Sequence, residues 1–157
     1  QGDPSVLGYL RAAPALGSTI VGLVLAKFML DRHAGKILLL SVVAFGLCII
    51  GFALSSTVSM AFLFLFLSGV FDGVSVVVRS TILQLCTPDE MRGRVSAING
   101  LFIGSSNELG AFESGLAASM LGLVPSIVVG GVITVVVVGV TDRLAPNLRK
   151  LHMSDLQ

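Results

Sequence analysis

Charged side chains occur inside the long apolar stretches of this sequence, where each is costly to place. They are Arg11, Asp72, Arg79, Glu108 and Glu113. A charge at the centre of a bilayer costs about 2.5 kcal/mol or more, so it normally faces a partner or a water-filled cavity and marks a substrate, ion or proton path. Two interpretations stay open. These residues form such a path, or they pair with one another, for example Arg11 with Glu113, and hold a helix bundle together.

The third apolar stretch carries a polar stripe. Asp72 and Arg79 are seven residues apart, which returns them to nearly the same helix face, about 10 Å apart along the axis. Ser68 and Ser75 fall on that face as well. The spacing predicts a polar stripe that runs from the middle of the membrane towards one end and faces away from lipid.

The stretch "NGLFIGSSNELGAFESGLAASM", residues 99–120, contains two carboxylates and no basic residue. Glu113 follows Glu108 by five residues, about 140° around a helix, so the two acids do not form an adjacent carboxylate pair. Small residues recur around the first acid at spacings of three and four, at Gly100, Gly104, Ala111 and Gly115. This small-residue seam predicts that another helix packs closely here, with protein or a water-filled path enclosing the acids on most sides.

The composition indicates that these stretches lie in a bilayer. The 157 residues are 54% hydrophobic and 12% charged, with a mean hydropathy of +0.96, whereas soluble domains carry about 25% charged residues. A membrane helix needs about 20 mostly apolar residues. We predict one all-α, polytopic membrane helix bundle with five transmembrane helices and a tail, at about 6–30, 37–54, 60–85, 95–121, 125–141 and 142–157.

Several classes of function are not indicated. The net charge of +1 gives no reason to expect a nucleic-acid partner. Cys48 and Cys86 are far apart in apolar surroundings and form neither a disulfide framework nor a metal site. No catalytic or phosphate-binding motif is present, so we expect neither an enzyme nor a cofactor or metal.

The basic residues predict an orientation. Eight of the ten Lys and Arg residues lie in or beside the connections after the first and third predicted helices, or in the tail. They are Lys27, Arg32, Lys36, Arg92, Arg94, Arg143, Arg149 and Lys150. Basic residues favour the cytoplasmic side, so we expect the N-terminus outside and the C-terminus in the cytoplasm. An odd number of helices with an external start and no export signal predicts that further helices precede this chain.

The connection "CTPDEMRGR" has the pattern of a helix start. Thr87 can cap, Pro88 suits the first helical position, and Glu90 completes a capping box. A cytoplasmic turn is the simpler interpretation. In the sharper one, the charged residues of this connection also latch neighbouring loops at a cytoplasmic gate; they are Asp89, Glu90, Arg92 and Arg94.

Several stretches resemble the C-terminal half of a major facilitator superfamily transporter. "GLVLAKFMLDRHAGKILLL" is similar to the second copy of that family's signature loop, with matches at Asp31, Arg32, Gly35 and Lys36. The resemblance assigns these four to cytoplasmic gate loops. "YLRAAPALGS" and "RSTILQLCTPDEMRGRVSAINGLFIGSSNELGAFESG" are similar to a bacterial branch with siderophore-exporter-like and drug-efflux-like members. The five segments would then be the last five of twelve helices, with the second and fifth peripheral and the other three lining a central cavity.

The resemblance implies a secondary active transporter of the bacterial inner membrane. It would export a small amphipathic molecule, drug-like or siderophore-like, in exchange for protons, by alternating access with the missing N-terminal helices. Asp72 and Glu108 are the first candidates for the substrate and proton path and Glu113 the next, with Arg79 and Arg11 as charge partners. The alternative is a non-transporting membrane scaffold or receptor subunit whose intramembrane charges serve assembly only. A gene that encodes the other seven helices would favour transport.

Overall fold

The computed structural model describes residues 4–27 and 34–144, which form five long helices and one short turn of 3-10 helix. The helices are α1 (Pro4–Lys27), α2 (Ala34–Ala53), α3 (Val58–Leu85), α4 (Arg92–Leu121) and α5 (Leu123–Leu144), and the 3-10 turn is Asp89–Met91. Each helix covers one of the five predicted stretches, with ends displaced by a few residues. The last residues predicted for the first helix, 28–30, and most of the predicted tail lie outside the described residues.

Four of these helices are long and apolar enough to cross a membrane. They are α1 over Ser5–Leu25, α2, α3 and α5. The fourth helix has 30 residues, about 45 Å at 1.5 Å per residue, so its length is sufficient, but its two acids and many Ser, Asn and Gly residues lower its hydropathy. The all-helical membrane bundle is therefore confirmed with four apolar helices, and a fifth crossing by α4 stays a prediction.

Local chemistry explains where α3 begins and how α4 meets α5. Thr57 precedes α3 in an extended conformation (φ −127°, ψ 148°), and its hydroxyl oxygen accepts a hydrogen bond from the Met60 N–H at 3.3 Å, which satisfies a free donor of the first turn. Between α4 and α5 stands a single residue, Gly122, with φ 88°. Only glycine adopts this conformation without strain, so it allows a connection of one residue.

The predicted capping box at the start of α4 is wrong. The Thr87 hydroxyl donates to the Leu83 carbonyl at 2.6 Å, back towards the preceding helix. The 3-10 turn that follows has Pro88 at its N-cap without a side-chain cap, and α4 begins only at Arg92. A threonine just after a helix can bond to that helix's last free carbonyls, and here this bond replaces capping of the next one.

The helices pack in the spatial order α1, α3, α2, α5, α4. Between α1 and α3 the backbones come into direct contact at three glycines, Gly17, Gly69 and Gly73. A Cβ atom on Gly69 would overlap the backbone of Pro14, and one on Gly73 would lie 3.0 Å from the Ser18 Cα. Small residues permit this close approach of helices in membranes.

A second close contact joins α2 to α5. A Cβ on Gly46 would lie 3.2 Å from the Gly131 carbonyl oxygen, and a Cβ on Gly131 would lie 3.0 Å from the Gly46 carbonyl oxygen. The two glycines therefore face each other, and a side chain on either would separate the helices. These two interfaces contain close glycine contacts of the kind predicted for the fourth helix.

The small-residue seam on α4 is not packed against any described helix. A Cβ on Gly100, Gly104 or Gly115 would find no atom within 4 Å, Ala111 is exposed, and α4 has no buried residue. Within the described ranges the predicted close helix is therefore not observed, and the enclosure of the acids stays a prediction. The physical reason is that α4 packs against α5 and the 3-10 turn, and the seam faces away from both.

Candidate functional site

The polar stripe predicted on α3 is divided into two edges. Ser68 and Ser75 are 2% and 4% exposed, and the Ser68 hydroxyl donates to the Leu65 carbonyl at 2.7 Å. Asp72 and Arg79 are exposed. The four residues thus share one side of α3, but only the two charges of the predicted stripe are exposed. The serines tolerate helix packing because a small hydroxyl can bond to its own helix, whereas the two charges, slightly further around the helix, remain outside the packed interface.

A cleft separates α3 from α4, although the two helices are consecutive and joined by a short connection. Its volume is about 360 Å³. Three of the lining side chains are polar: Arg79, Ser80 and Asn99. The other three are apolar: Val76, Leu83 and Ile103. Among these six residues Arg79 is the one with a charge. Of the sequence candidates for a substrate path, Arg79 is therefore the one that lines this cleft.

The five charges within the apolar stretches remain apart from one another. All five are exposed, and none forms an ion pair with another residue of segments 4–27 and 34–144. Pairing of Arg11 with Glu113 is not observed in these segments. The reason is the packing order, because α1 and α4 occupy its two ends. Static pairing among these five residues is therefore not observed in the described part of the chain.

The two acids of α4 have different surroundings. Glu113 lines an apolar groove of about 360 Å³ with Leu116, Ala117 and Met120. It also borders a second groove, of about 290 Å³, at the contact of α4 with α5. Glu108 is exposed and projects about 140° away from Glu113. The structure thus keeps the two acids on different sides of the helix, as their spacing predicts.

The predicted gate residues lie in or beside two connections, and several belong to the first turn of the helix that follows. Arg92 forms an ion pair with Asp89 at 2.8 Å, and its Nε donates to the Thr87 carbonyl at 3.3 Å, so its contacts stay within its own connection. Glu90 and Arg94 are exposed. In the other connection Gly35 is buried and Lys36 exposed at the start of α2, and Asp31 and Arg32 lie outside the described residues. A latch between neighbouring loops stays a prediction.

Several residues that matter here were not predicted from the sequence. Ser80 and Asn99 line the cleft, and no motif marked them. Gly69 and Gly73 carry the α1–α3 contact, and their four-residue spacing is the Gly-x-x-x-Gly pattern of close helix pairs. That signal was present in the sequence.

Apolar helices in glycine-mediated contact, with isolated charges on their exposed faces, define a multi-pass membrane protein. The family model of the Major Facilitator Superfamily matches residues 1–151, and the chain belongs to this superfamily. One curated relative is the uncharacterized MFS-type transporter YvqJ of Bacillus subtilis (strain 168), 28% identical over 156 residues, which is 99% of this chain and 36% of the relative. The chain thus spans about a third of that relative's length. No solved structure matches the chain significantly.

Proposed function

We propose that this chain is part of a proton-coupled secondary active transporter that exports a small amphipathic molecule from a bacterial cell. The observation that carries the proposal is Asp72. It is exposed in the middle of α3, a helix apolar enough to cross a membrane, and has no ion-pair partner in the described part of the chain. A charged group in this position normally faces a partner or a water-filled path, so we assign Asp72 to the proton path.

The family and the relative support the architecture that we propose. Transporters of this superfamily are built from two halves of six helices that alternate between inward-open and outward-open states around a site near the membrane midplane. We place the five helices as the last five of twelve, in the inner membrane, with the C-terminus in the cytoplasm. The much greater length of the relative is consistent with further helices. They would supply the other wall of the cavity.

The remaining charges receive roles in the same scheme. Glu108 is the second candidate proton carrier and Glu113 the third, while Arg79 and Arg11 bind or balance negative charge. The gate loops control access from the cytoplasm; their residues are Asp31, Arg32, Gly35, Lys36, Asp89, Glu90, Arg92 and Arg94. The substrate is drug-like or siderophore-like in being small and amphipathic.

Neutral variants of the acids test the proposal in the full-length protein reconstituted in liposomes. Asp72→Asn and Glu108→Gln should fold, because removal of a charge from the membrane also removes its desolvation cost. Proton-driven efflux should fall at least tenfold, whereas exchange of substrate down its own gradient should survive. Asp142→Asn, an acid at the end of α5 outside the proposed path, is the matched control and should keep both activities.

Other outcomes would separate the alternatives. Full proton-driven efflux in both neutral variants would remove Asp72 and Glu108 from the mechanism and leave Glu113. Loss of folded protein together with both transport modes would indicate that the acids serve assembly. A full-length protein that moves no substrate across the membrane, with or without a proton gradient, would favour the scaffold function.

A further inference from the structure

The cleft between α3 and α4 has the form of a ligand site. The two helices are joined by residues 86–91, yet α4 packs against α5 rather than against α3, and this arrangement leaves the space between them open. Its volume of about 360 Å³ lies within the range of roughly 300–1,000 Å³ that is usual for small-molecule sites. The connection joins the two helices at one end, so we expect a ligand to enter from the side or from the opposite end.

The polar side of the cleft is suited to a negatively charged group. The Arg79 guanidinium presents a planar fork of N–H donors that matches two oxygens of a carboxylate or sulfonate. The Ser80 hydroxyl and the Asn99 amide are further donors in the same lining. The other three side chains, Val76, Leu83 and Ile103, offer only apolar surface, which suits the hydrocarbon part of the same molecule.

The charges around the cleft leave Arg79 uncompensated within the described residues. No acid belongs to its lining, and Asp72 lies seven residues earlier on α3, about 10 Å along the helix axis. The connection that joins the two helices has two acids and two bases in or beside it, Asp89, Glu90, Arg92 and Arg94. These four add no net charge. The cleft is therefore electropositive at Arg79 and attracts anions more than neutral or cationic molecules.

We infer that this cleft binds the acidic group of an amphipathic organic anion, with Arg79 as the residue that selects for negative charge. The inference rests on the proposed function, because it names the substrate class for that transporter. It gives Arg79 a direct contact with the substrate, whereas Asp72 and Glu108 carry protons. When an anion leaves the cell in exchange for protons, one side chain would then bind the anion and other side chains would carry the protons.

A pair of fluorescent probes that differ by one sulfonate tests this assignment. Anilinonaphthalene sulfonate is the anionic probe and N-phenylnaphthylamine its neutral counterpart. Binding is measured on full-length protein in nanodiscs, with empty nanodiscs subtracted and without any proton gradient. Arg79→Gln should weaken binding of the anionic probe by roughly tenfold to a hundredfold, the loss expected for a charged hydrogen bond, and leave the neutral probe within about twofold. Arg143→Gln, an exposed arginine on α5, is the control and should change neither.

Three results would overturn the inference. Unchanged binding of the anionic probe to Arg79→Gln, or an equal loss for both probes, would show that Arg79 does not select for charge. A fall in folded yield with unchanged binding per folded molecule would show that Arg79 pairs with an acid elsewhere in the protein. Proton-driven efflux, measured separately on the unmodified protein, decides the proposed function independently of these outcomes.

Discussion

Replacement of Gly17 by alanine should force α1 and α3 apart. The added Cβ would overlap the Phe66 carbonyl oxygen and lie 2.9 Å from the Val70 nitrogen and 3.2 Å from the Gly69 carbonyl carbon. All three are backbone atoms, so no side chain can rotate away. Ordinary contact for a Cβ begins at about 3.4 Å; the α3 backbone must therefore retreat by at least about half an ångström.

The expected cost follows from that displacement. A gap of 0.5–1 Å already loses a quarter to a half of each dispersion contact, and overpacking of a well-packed interface costs about 1–3 kcal/mol. Gly22, five residues later on α1, has no atom within 4 Å of its Cβ position. Gly22→Ala should therefore be neutral or gain up to about 1 kcal/mol from helix propensity. The same propensity gain applies to Gly17→Ala and cancels in the comparison, so the two variants should differ in free energy of unfolding by the overpacking cost, about 1–3 kcal/mol.

The measurement is the thermal and denaturant-induced unfolding of both variants of the full-length protein in the same detergent. A second replacement, Gly69→Ala, acts on the same contact, so its effect should not add to that of Gly17→Ala, whereas distant sites usually add. Equal stability of Gly17→Ala and Gly22→Ala would refute the backbone contact between α1 and α3.

Two further predictions concern α5 and the membrane orientation. Gly131→Ala should lower the unfolding temperature, because its Cβ would lie 3.0 Å from the Gly46 carbonyl oxygen. Gly130→Ala has open space at its Cβ and should not lower it. The same shift of the unfolding temperature in both variants would contradict the α2–α5 contact. The orientation is tested in a background in which Cys48 and Cys86 are replaced by serine. Cysteines at Ser56 and Pro125 should react with an impermeant reagent from outside the cell, and a cysteine at His33 only from inside. External labelling at position 33 would reverse the proposed orientation.

The helices could be predicted from the sequence because a long apolar stretch in a membrane must satisfy its backbone hydrogen bonds internally. Which helices pack against one another could not be predicted in this way. The small residues at Gly100 and Gly104 indicated that close packing is possible, but their spacing does not say whether another helix lies against them. In the structure the close contacts are instead at Gly17 and Gly46. Thr87 likewise can cap the next helix or bond to the previous one, and the pattern does not distinguish the two.

The candidate site was predictable in part. Arg79 was singled out because a charge in an apolar stretch is expensive, and it does line the cleft. Asn99 and Ser80 were not predicted to belong to the site. Neutral polar residues are common in membrane helices, and they become informative only when the fold brings them beside a charge. Ion pairing of the acids could not be decided from sequence because it depends on the order in which helices pack.

The one-residue connection at Gly122 has a consequence for how the protein enters the membrane during synthesis. The fourth helix is too polar to partition by itself, since each acid at mid-membrane opposes insertion by about 2.5 kcal/mol or more. The fifth, with a mean hydropathy of 2.6, is the most apolar of the four that qualify. Because only Gly122 separates the two, we expect them to enter the membrane as one hairpin, in which insertion of the fifth helix would draw in the fourth. A nascent chain that stops at residue 122 should leave its last helix outside the bilayer.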